Sequence, residues 1–387
     1  MKTEEKQFKF CTNCGVKNAK NAKFCKQCGT PFKVAQSNKT DEPRRESTNT
    51  ESREEKSLSM IGSATSRLNS WTGGHGEVKI SLRDFFSEVF KKHTQAEAEE
   101  IFIVGTPETT PTIEEVNAEE VHPWLFSRVF IFVLVLSGLL YMYLKLSDQP
   151  GVFISLLIFI GVAVPVSALV LFFESNVLRN ISFYQVIKIC LVGGALSLIL
   201  TMAVIAIFGQ EDTDHGISLI SALTIGIREE LAKVLVAAYF IYKIKPKSIF
   251  GGLLIGAAVG TGFAAFENIQ YIINALSEGG GIGYAFYRTM ISVSDHTEWC
   301  AISSAGIILA SNGKDFELND LFNIKFLRFF LLVVLIHMLW DWTLGPSDLI
   351  RETVGFIITW VTVLVIMHAG LREVAGMKQS SKVLKNK

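Results

Sequence analysis

The sequence predicts an all-α polytopic membrane protein with about eight transmembrane helices, preceded by a small cysteine-rich head on a flexible tether. Three observations support this fold class. Hydrophobic residues make up 49% of the 387 residues and the formal net charge is +0, which excludes an ordinary soluble domain and a basic nucleic-acid-binding protein. Long apolar runs fill residues 125–370, whereas residues 1–124, about a third of the chain, hold half of the charged residues. Four of the six cysteines lie within the first thirty residues.

The head contains two Cys-x-x-Cys pairs, each followed by a glycine. Four thiolates at this spacing can surround one tetrahedral zinc ion, and the glycines allow the turns that wrap it. A pair of redox-active dithiols is the alternative, but no βαβ pattern surrounds the cysteines in the sequence. The predicted ligands of this structural Zn²⁺ are Cys11, Cys14, Cys25 and Cys28.

Residues 1–32 resemble the zinc ribbons that begin many bacterial membrane proteins, which implies a bacterial cell membrane as the location. A closed four-cysteine site leaves no coordination position for a substrate, so the head is expected to regulate or to bind a protein partner. The other two cysteines, Cys190 and Cys300, lie in apolar segments and are expected to be packing residues.

Residues 33–79 are rich in Ser, Thr, Glu, Lys and Asn and predict a disordered linker, because little apolar surface is available to offset the ordering entropy. Residues 80–124 predict a short amphipathic helical segment, in which Ser81 and Asp84 can form a capping box. Its apolar stripe is expected to lie on the inner leaflet or on the membrane domain itself. The stripe consists of Leu82, Phe85, Phe86, Val89 and Phe90, with Lys91 and Lys92 beside lipid head groups.

The membrane domain is predicted over residues 125–370, and a basic tail follows over residues 371–387. Each apolar run is long enough to cross a bilayer as a helix. The eight predicted segments are residues 125–145, 150–173, 184–209, 217–243, 248–276, 283–310, 325–345 and 353–370.

Lysines and arginines are distributed unevenly among the connecting loops. Lys243, Lys245 and Lys247 lie between the fourth and fifth segments, whereas residues 211–214 between the third and fourth contain acids and no base. By the positive-inside rule, both termini are cytoplasmic. The polar start of the chain is consistent with an amino terminus that stays inside.

The fourth segment carries three neighbouring ionisable residues, Glu229, Glu230 and Lys233. A charge at the centre of a bilayer costs about 2.5 to 3.5 kcal/mol on insertion scales, so these charges must pair or line a wet cavity. Both glutamates can reach Lys233, at i,i+4 and i,i+3 respectively. Pairing for helix packing alone is the alternative to a functional role.

The next three segments each carry a polar residue that is used in hydrolysis. Glu267 lies in the fifth segment, His296 in the sixth, and His337 in the seventh together with Asp341, which at i,i+4 can orient the imidazole. Helical rise places Glu229 and these residues in one layer, roughly 12 to 20 Å below the outer surface. A close helix contact that brings Glu267 inward is predicted from Gly252, Gly256 and Gly260.

These motifs together resemble the PrsW-type intramembrane proteases, whose core is similar to that of the CAAX prenyl endopeptidases and bacteriocin-immunity proteins. The resemblance covers roughly residues 217–344. It rests on Glu229-Glu230 with Lys233, then Phe263-Ala264-Ala265-Phe266-Glu267-Asn268, then His296, then His337-Met338-Leu339-Trp340-Asp341.

The resemblance implies hydrolysis of membrane proteins, for example single-pass substrates such as anti-sigma factors. It assigns Glu229 as general base, Glu230 as its partner and Lys233 as the residue that holds the pair. The other groups are expected to act either as metal ligands or as stabilisers of the oxyanion. The expected set for a second Zn²⁺ is Glu230, Glu267, His296 and His337.

Two other functions stay open. A scaffold or immunity-type protein of the same fold would use the polar layer only for helix packing. A proton-coupled transporter would use Glu229 and Glu267 as a relay, but it would more often show internal repeats and broken helices, which the sequence does not indicate. Glu267 stands where the prenyl endopeptidases have a histidine, which argues against prenylated substrates.

Cysteine labelling tests the predicted topology. A cysteine introduced at Asp212 should react with a membrane-impermeant maleimide added outside intact cells, and one at Lys245 should react only after permeabilisation. Protection at position 212 together with external labelling at position 245 would reverse the topology.

Overall fold

The computed structural model describes residues 8–10, 16–19, 22, 51–147, 150–209, 211, 215–277 and 282–385. They belong to two compact units, Met1–Lys56 and Ser57–Lys387. In the first unit, strands β1 (Phe8–Phe10) and β2 (Lys17–Ala19) pair antiparallel. The four predicted zinc ligands, Cys11, Cys14, Cys25 and Cys28, lie outside the described residues.

The predicted disordered linker is wrong for its second half, because Glu51–Trp71 forms a helix, α1. The end of this helix is anchored: the Trp71 ring packs edge-on against Phe329 at 5.6 Å, and Arg372 donates to Asn69 Oδ1 at 3.0 Å. The low apolar content predicts disorder, but one tryptophan and one polar contact with Arg372 are enough to hold the end of this helix.

The amphipathic segment is shorter than predicted. Ser81 caps α2 (Leu82–Phe85) and accepts the Asp84 N–H at 3.3 Å, as expected, but the helix ends after one turn and Phe90 is exposed. The Phe86 and Phe126 rings lie 5.8 Å apart, so this part of the stripe packs on the membrane domain. A second short helix, α3, follows at Gln95–Phe102.

All eight predicted apolar segments are helical. Among the described residues, five helical stretches are long and apolar enough to cross a membrane, namely Leu125–Leu146, Val152–Ser175, Phe183–Phe208, Ile249–Ser277 and Asp348–Lys385. The number of eight crossings therefore stays a prediction. The helices are α4 (Leu125–Ser147), α5 (Pro150–Ser175), α6 (Phe183–Lys188), α7 (Gly194–Phe208), α8 (Leu219–Ile244), α9 (Ile249–Ser277), α10 (Ile282–Ile291), α11 (His296–Ser311), α12 (Ile324–Asp341) and α13 (Asp348–Lys385).

The sixth segment is broken, contrary to the continuous helix predicted. A 3₁₀ turn at Ser292–Ser294 separates α10 from α11. Ser292 donates its hydroxyl to Thr289 O at 2.8 Å, and such local bonds compete with helical ones. His296 consequently begins a helix instead of lying within one.

The central helix is α9, whose first sixteen residues, Ile249 to Ala264, are all buried. Its glycines allow the close contact with α11 that the sequence predicts: a Cβ on Gly260 would lie 2.0 Å from His296 O, and one on Gly256 would lie 2.3 Å from Cys300 O. Gly262 approaches a π-helical turn, Ile189–Gly193, equally closely. These backbone contacts fix the depth of His296 relative to α9.

A proline in α5 fixes the position of α9 from the other side. Pro165 has no N–H, so the carbonyl of Gly161 lacks its helical donor. The side chain of Asn268 on α9 donates to this carbonyl at 3.2 Å. The bond holds the residue next to Glu267 against α5.

Replacing Asn268 by leucine should destabilise the protein by about 1 kcal/mol, because the buried Gly161 carbonyl loses its donor. In a Pro165→Ala background, the new backbone N–H can bond Gly161 O, so the same Asn268→Leu change should cost less. Unfolding in mixed micelles measures both differences. Equal costs in the two backgrounds would contradict this role of Asn268.

Candidate functional site

The structure brings all seven residues predicted for the membrane site into one connected cluster. Three helices supply most of it: α8 contributes two glutamates and a lysine, α9 contributes one glutamate, and α12 contributes a histidine and an aspartate from its last two turns. The remaining histidine is the first residue of α11. The cluster consists of Glu229, Glu230, Lys233, Glu267, His296, His337 and Asp341.

The ammonium of Lys233 lies at the centre of the cluster and is completely buried. It is 2.7 Å from Glu230 Oε1 and 3.8 Å from Glu229 Oε2, as the helical spacing predicts. It also donates to His296 Nδ1 at 2.5 Å and lies 4.3 Å from the centre of the Phe263 ring. A buried ammonium is tolerated only when its donors are paired, and here they are.

The two adjacent glutamates differ in their surroundings. The Glu230 side chain is fully buried, and its Oε1 also accepts the Nδ1–H of His337 at 2.7 Å. The Glu229 side chain is 16% exposed, and its buried Oε2 has no hydrogen-bond partner among the described residues. Glu230 Oε2 also has no hydrogen-bond partner among the described residues, but Glu230 Oε1 is bonded to Lys233 and His337. Glu229 makes no such bond, so it is the carboxylate that can bind another group.

His337 contacts Glu230 in addition to Asp341, the partner that the sequence predicts. Its Nδ1 donates to Glu230 Oε1, and its Nε2 faces Asp341 and Glu229. Asp341 Oδ2 lies 3.2 Å from this Nε2, but it makes no hydrogen bond, and Glu229 Oε2 lies 3.7 Å away. Glu230 thus orients the imidazole, and Asp341 lies beside it.

His296 is held at both ring nitrogens. Its Nδ1 accepts from Lys233, so Nε2 carries the proton and donates to Glu267 Oε2 at 2.7 Å. Arg288 of α10 donates to the same oxygen at 2.7 Å. The hydrogen bonds run from Arg288 through Glu267, His296, Lys233 and Glu230 to His337.

Sequence reasoning missed Arg288, Asp295 and Glu298, all buried. The signal for Arg288 was the same as that for Glu229, a charge inside an apolar segment. Asp295 and Glu298 flank His296 at the start of α11, where the Asp295 N–H is bonded to Glu298 Oε2 at 3.3 Å. These residues appeared to belong to a continuous helix, so their side chains had no assigned direction.

A metal ion fits one part of the cluster. One ligand atom from each of Glu229, His296 and His337 lies within 4.8 Å of the others, and a carboxylate with two imidazoles is a common zinc ligand set. Glu229 Oε2 and His337 Nε2 suit such an ion, whereas His296 would have to release Lys233 or Glu267, because both of its ring nitrogens are bonded. The predicted ligands Glu230 and Glu267 are instead engaged with Lys233 and Arg288.

Comparison with known proteins agrees with the motifs. A sequence model of the PrsW family intramembrane metalloproteases matches residues 183–368, and a zinc-ribbon domain matches residues 10–32. The predicted resemblance to the PrsW family is confirmed. The PrsW match contains every residue of the membrane site, and the zinc-ribbon match agrees with the head predicted over residues 1–32.

A curated relative adds detail. Protease PrsW of Bacillus subtilis (strain 168) is 29% identical over 140 residues, which are 35% of this chain. The match covers 60% of the length of that relative. No solved structure is significantly similar to the chain. The relative and the apolar helices support a membrane location.

Replacing Lys233 by methionine should destabilise the protein by about 3 to 5 kcal/mol, because Glu230 is left as an unpaired buried charge. Adding Glu230→Gln should recover part of this loss. The matched control is Lys243→Met in the last turn of α8, which is exposed and should change little. Thermal unfolding in detergent compares the three variants with the wild type, and equal melting temperatures for Lys233→Met and the wild type would contradict the pairing.

Proposed function

We propose that the protein is an intramembrane endopeptidase that hydrolyses peptide bonds of membrane proteins. One observation carries the proposal: the Glu229 carboxylate makes no hydrogen bond to the described residues and its Oε2 lies 3.7 Å from His337 Nε2, while its neighbour Glu230 pairs with Lys233 and His337 through Oε1. A carboxylate used only for helix packing would be expected to pair as Glu230 does.

In the proposed reaction, Glu229 accepts a proton from a water molecule, which attacks the carbonyl carbon of the scissile bond. The same carboxyl group then returns the proton to the leaving amine. Glu230 and Lys233 hold Glu229 and the two imidazoles in place, and the carbonyl oxygen, as it becomes negatively charged, is stabilised by the Nε2–H of a protonated His337 or by a cation.

A metal-assisted version uses the same residues differently. Glu229, His296 and His337 would hold the ion, and a bound zinc ion would supply a Lewis acid. The charge balance supports a cation in the site, because four carboxylates, Glu229, Glu230, Glu267 and Asp341, face two fixed cations, Lys233 and Arg288.

The substrate class follows from the surroundings of the site. The cluster lies within apolar helices, so a substrate must present its scissile bond from within or beside the bilayer. A single-pass protein of the anti-sigma-factor type fits this requirement. The zinc ribbon is proposed to regulate access or to bind a protein partner, because its closed site cannot take part in hydrolysis.

Two alternatives predict other behaviour. A scaffold or immunity-type protein would not depend on the proton-accepting ability of Glu229. The broken sixth segment is a feature that transporters also use. A proton relay, however, would require Glu229 and Glu267 to exchange hydrogen-bond partners, whereas Glu267 is held by Arg288 and His296.

Replacing Glu229 by glutamine should lower turnover by about 10²- to 10⁴-fold while the fold is kept, because the amide has a similar volume but cannot accept a proton. Asp341→Asn should lose less, because Asp341 only lies beside His337. The control is Glu100→Gln in α3, which is exposed. Comparison of membrane proteins in cells that carry each variant should show one uncleaved protein accumulating with Glu229→Gln, and wild-type cleavage by this variant would exclude the proposed site.

Removal of metal separates the two versions of the chemistry. The substrate found in this way is incubated with purified protein before and after chelation, with the Cys11→Ser/Cys14→Ser variant, which weakens the zinc-ribbon site, as a second sample. Loss of activity that added zinc restores in both samples supports the metal-assisted version, and full activity after complete removal supports carboxylate catalysis.

A further inference from the structure

The guanidinium of Arg288 is buried at the edge of the cluster and has no role in the reaction described above. Its side chain is 9% exposed. Its Nη2 donates to Glu267 Oε2 at 2.7 Å, and the guanidinium carbon lies 4.8 Å from the centre of the Tyr271 ring. Burial of an arginine in an apolar segment is costly unless the charge is used.

The contact matters because of the atom that it involves. Glu267 Oε2 is also the oxygen that accepts the Nε2–H of His296. Two donors from different helices, α10 and α11, therefore meet on one oxygen of α9. Without Arg288, the carboxylate would lose its direct cationic partner and one of the two bonds that fix its rotamer.

The break in the sixth segment makes this arrangement possible. Arg288 lies eight residues before His296 in the sequence, but the 3₁₀ turn at Ser292–Ser294 gives α10 a direction of its own. Thr289, the next residue, donates to Ile160 O of α5 at 2.9 Å, which anchors α10 independently of α11. Arg288 thus contacts Glu267 from a helix, α10, that is held in place by α5.

We propose that Arg288 is a positioning residue, which holds Glu267 so that the His296 ring keeps its orientation toward Lys233 and Glu229. The inference rests on the proposed function for its effect on turnover. Its effect on the His296 ring does not depend on that function, because the contacts belong to the protein without substrate.

A double-mutant cycle tests the proposal in the full-length protein. The variants are Arg288→Gln, Arg288→Lys, Glu267→Gln and the double variant Arg288→Gln/Glu267→Gln. The matched control is Arg228→Gln: Arg228 is equally buried, with 9% of its side chain exposed, but it donates to Gly209 O and pairs with Glu211. Both substitutions replace a buried arginine by glutamine, so a general effect of losing a buried charge would appear in both variants.

The first readout is cleavage of the protein that accumulates with Glu229→Gln. Arg288→Gln should lower kcat by about tenfold or more and change KM by less than about twofold, because positioning acts on the transition state. Arg288→Lys should recover part of kcat. The double variant should be no slower than Glu267→Gln alone, because Arg288 acts through Glu267. Multiplicative losses, or an equal loss in Arg228→Gln, would overturn the proposal.

The second readout is the imidazole nitrogen signal of His296 in protein labelled with ¹⁵N-histidine, assigned with His296→Gln. Arg288→Gln should shift this signal, Arg288→Lys should shift it less, and Arg228→Gln should leave it unchanged. An unchanged signal in Arg288→Gln would overturn the proposal whether or not cleavage is found. If Arg288→Gln does not fold, Arg288→Lys decides: an unshifted signal together with unchanged kcat contradicts the role. A shifted signal with no cleavage by the wild type would reject the proposed function alone.

Discussion

The buried ammonium of Lys233 is the interaction on which the site depends. It pairs with Glu230 at 2.7 Å, donates to His296 Nδ1 at 2.5 Å and lies over the Phe263 ring, so residues from α8, α9 and α11 meet around one charge. A cation in this position makes a fully buried carboxylate tolerable. It also fixes which nitrogen of His296 carries the proton. Removing it would disturb the orientation of several groups together.

Because of this pairing, the two adjacent glutamates have different roles. Glu230 holds Lys233 and His337 through Oε1 and becomes part of the framework, while Glu229 makes no hydrogen bond to the described residues and has its Oε2 toward His337. The framework extends outward through close backbone contacts, since Gly260 leaves room for His296 O and Gly256 for Cys300 O. A rigid support of this kind is what precise chemistry needs, because small displacements of reacting groups are costly.

Much of this arrangement could be predicted from the sequence. Charges inside apolar segments marked the residues of the site, and helical spacing gave the pairing of Lys233 with both glutamates. The break at Ser292–Ser294 could not be read from hydropathy, because a few serines do not lower the apolar average of a segment. Without the break, neither the direction of Arg288 nor the start of α11 at His296 was accessible. The partner of His337 was also assigned by spacing to Asp341, whereas tertiary packing brings Glu230 nearer. In the linker, α1 depends on a contact with Arg372, some three hundred residues away in sequence, which local composition cannot reveal.

The most direct test of the account is a high-resolution cryo-EM map of the full-length protein in a lipid nanodisc. The account predicts that Lys233 Nζ contacts Glu230, and that density for a water molecule or a metal ion lies within coordination or hydrogen-bond distance of Glu229 and of His337 Nε2. The opposite arrangement, with Glu229 paired to Lys233 and Glu230 facing the imidazoles and bound water, would contradict it.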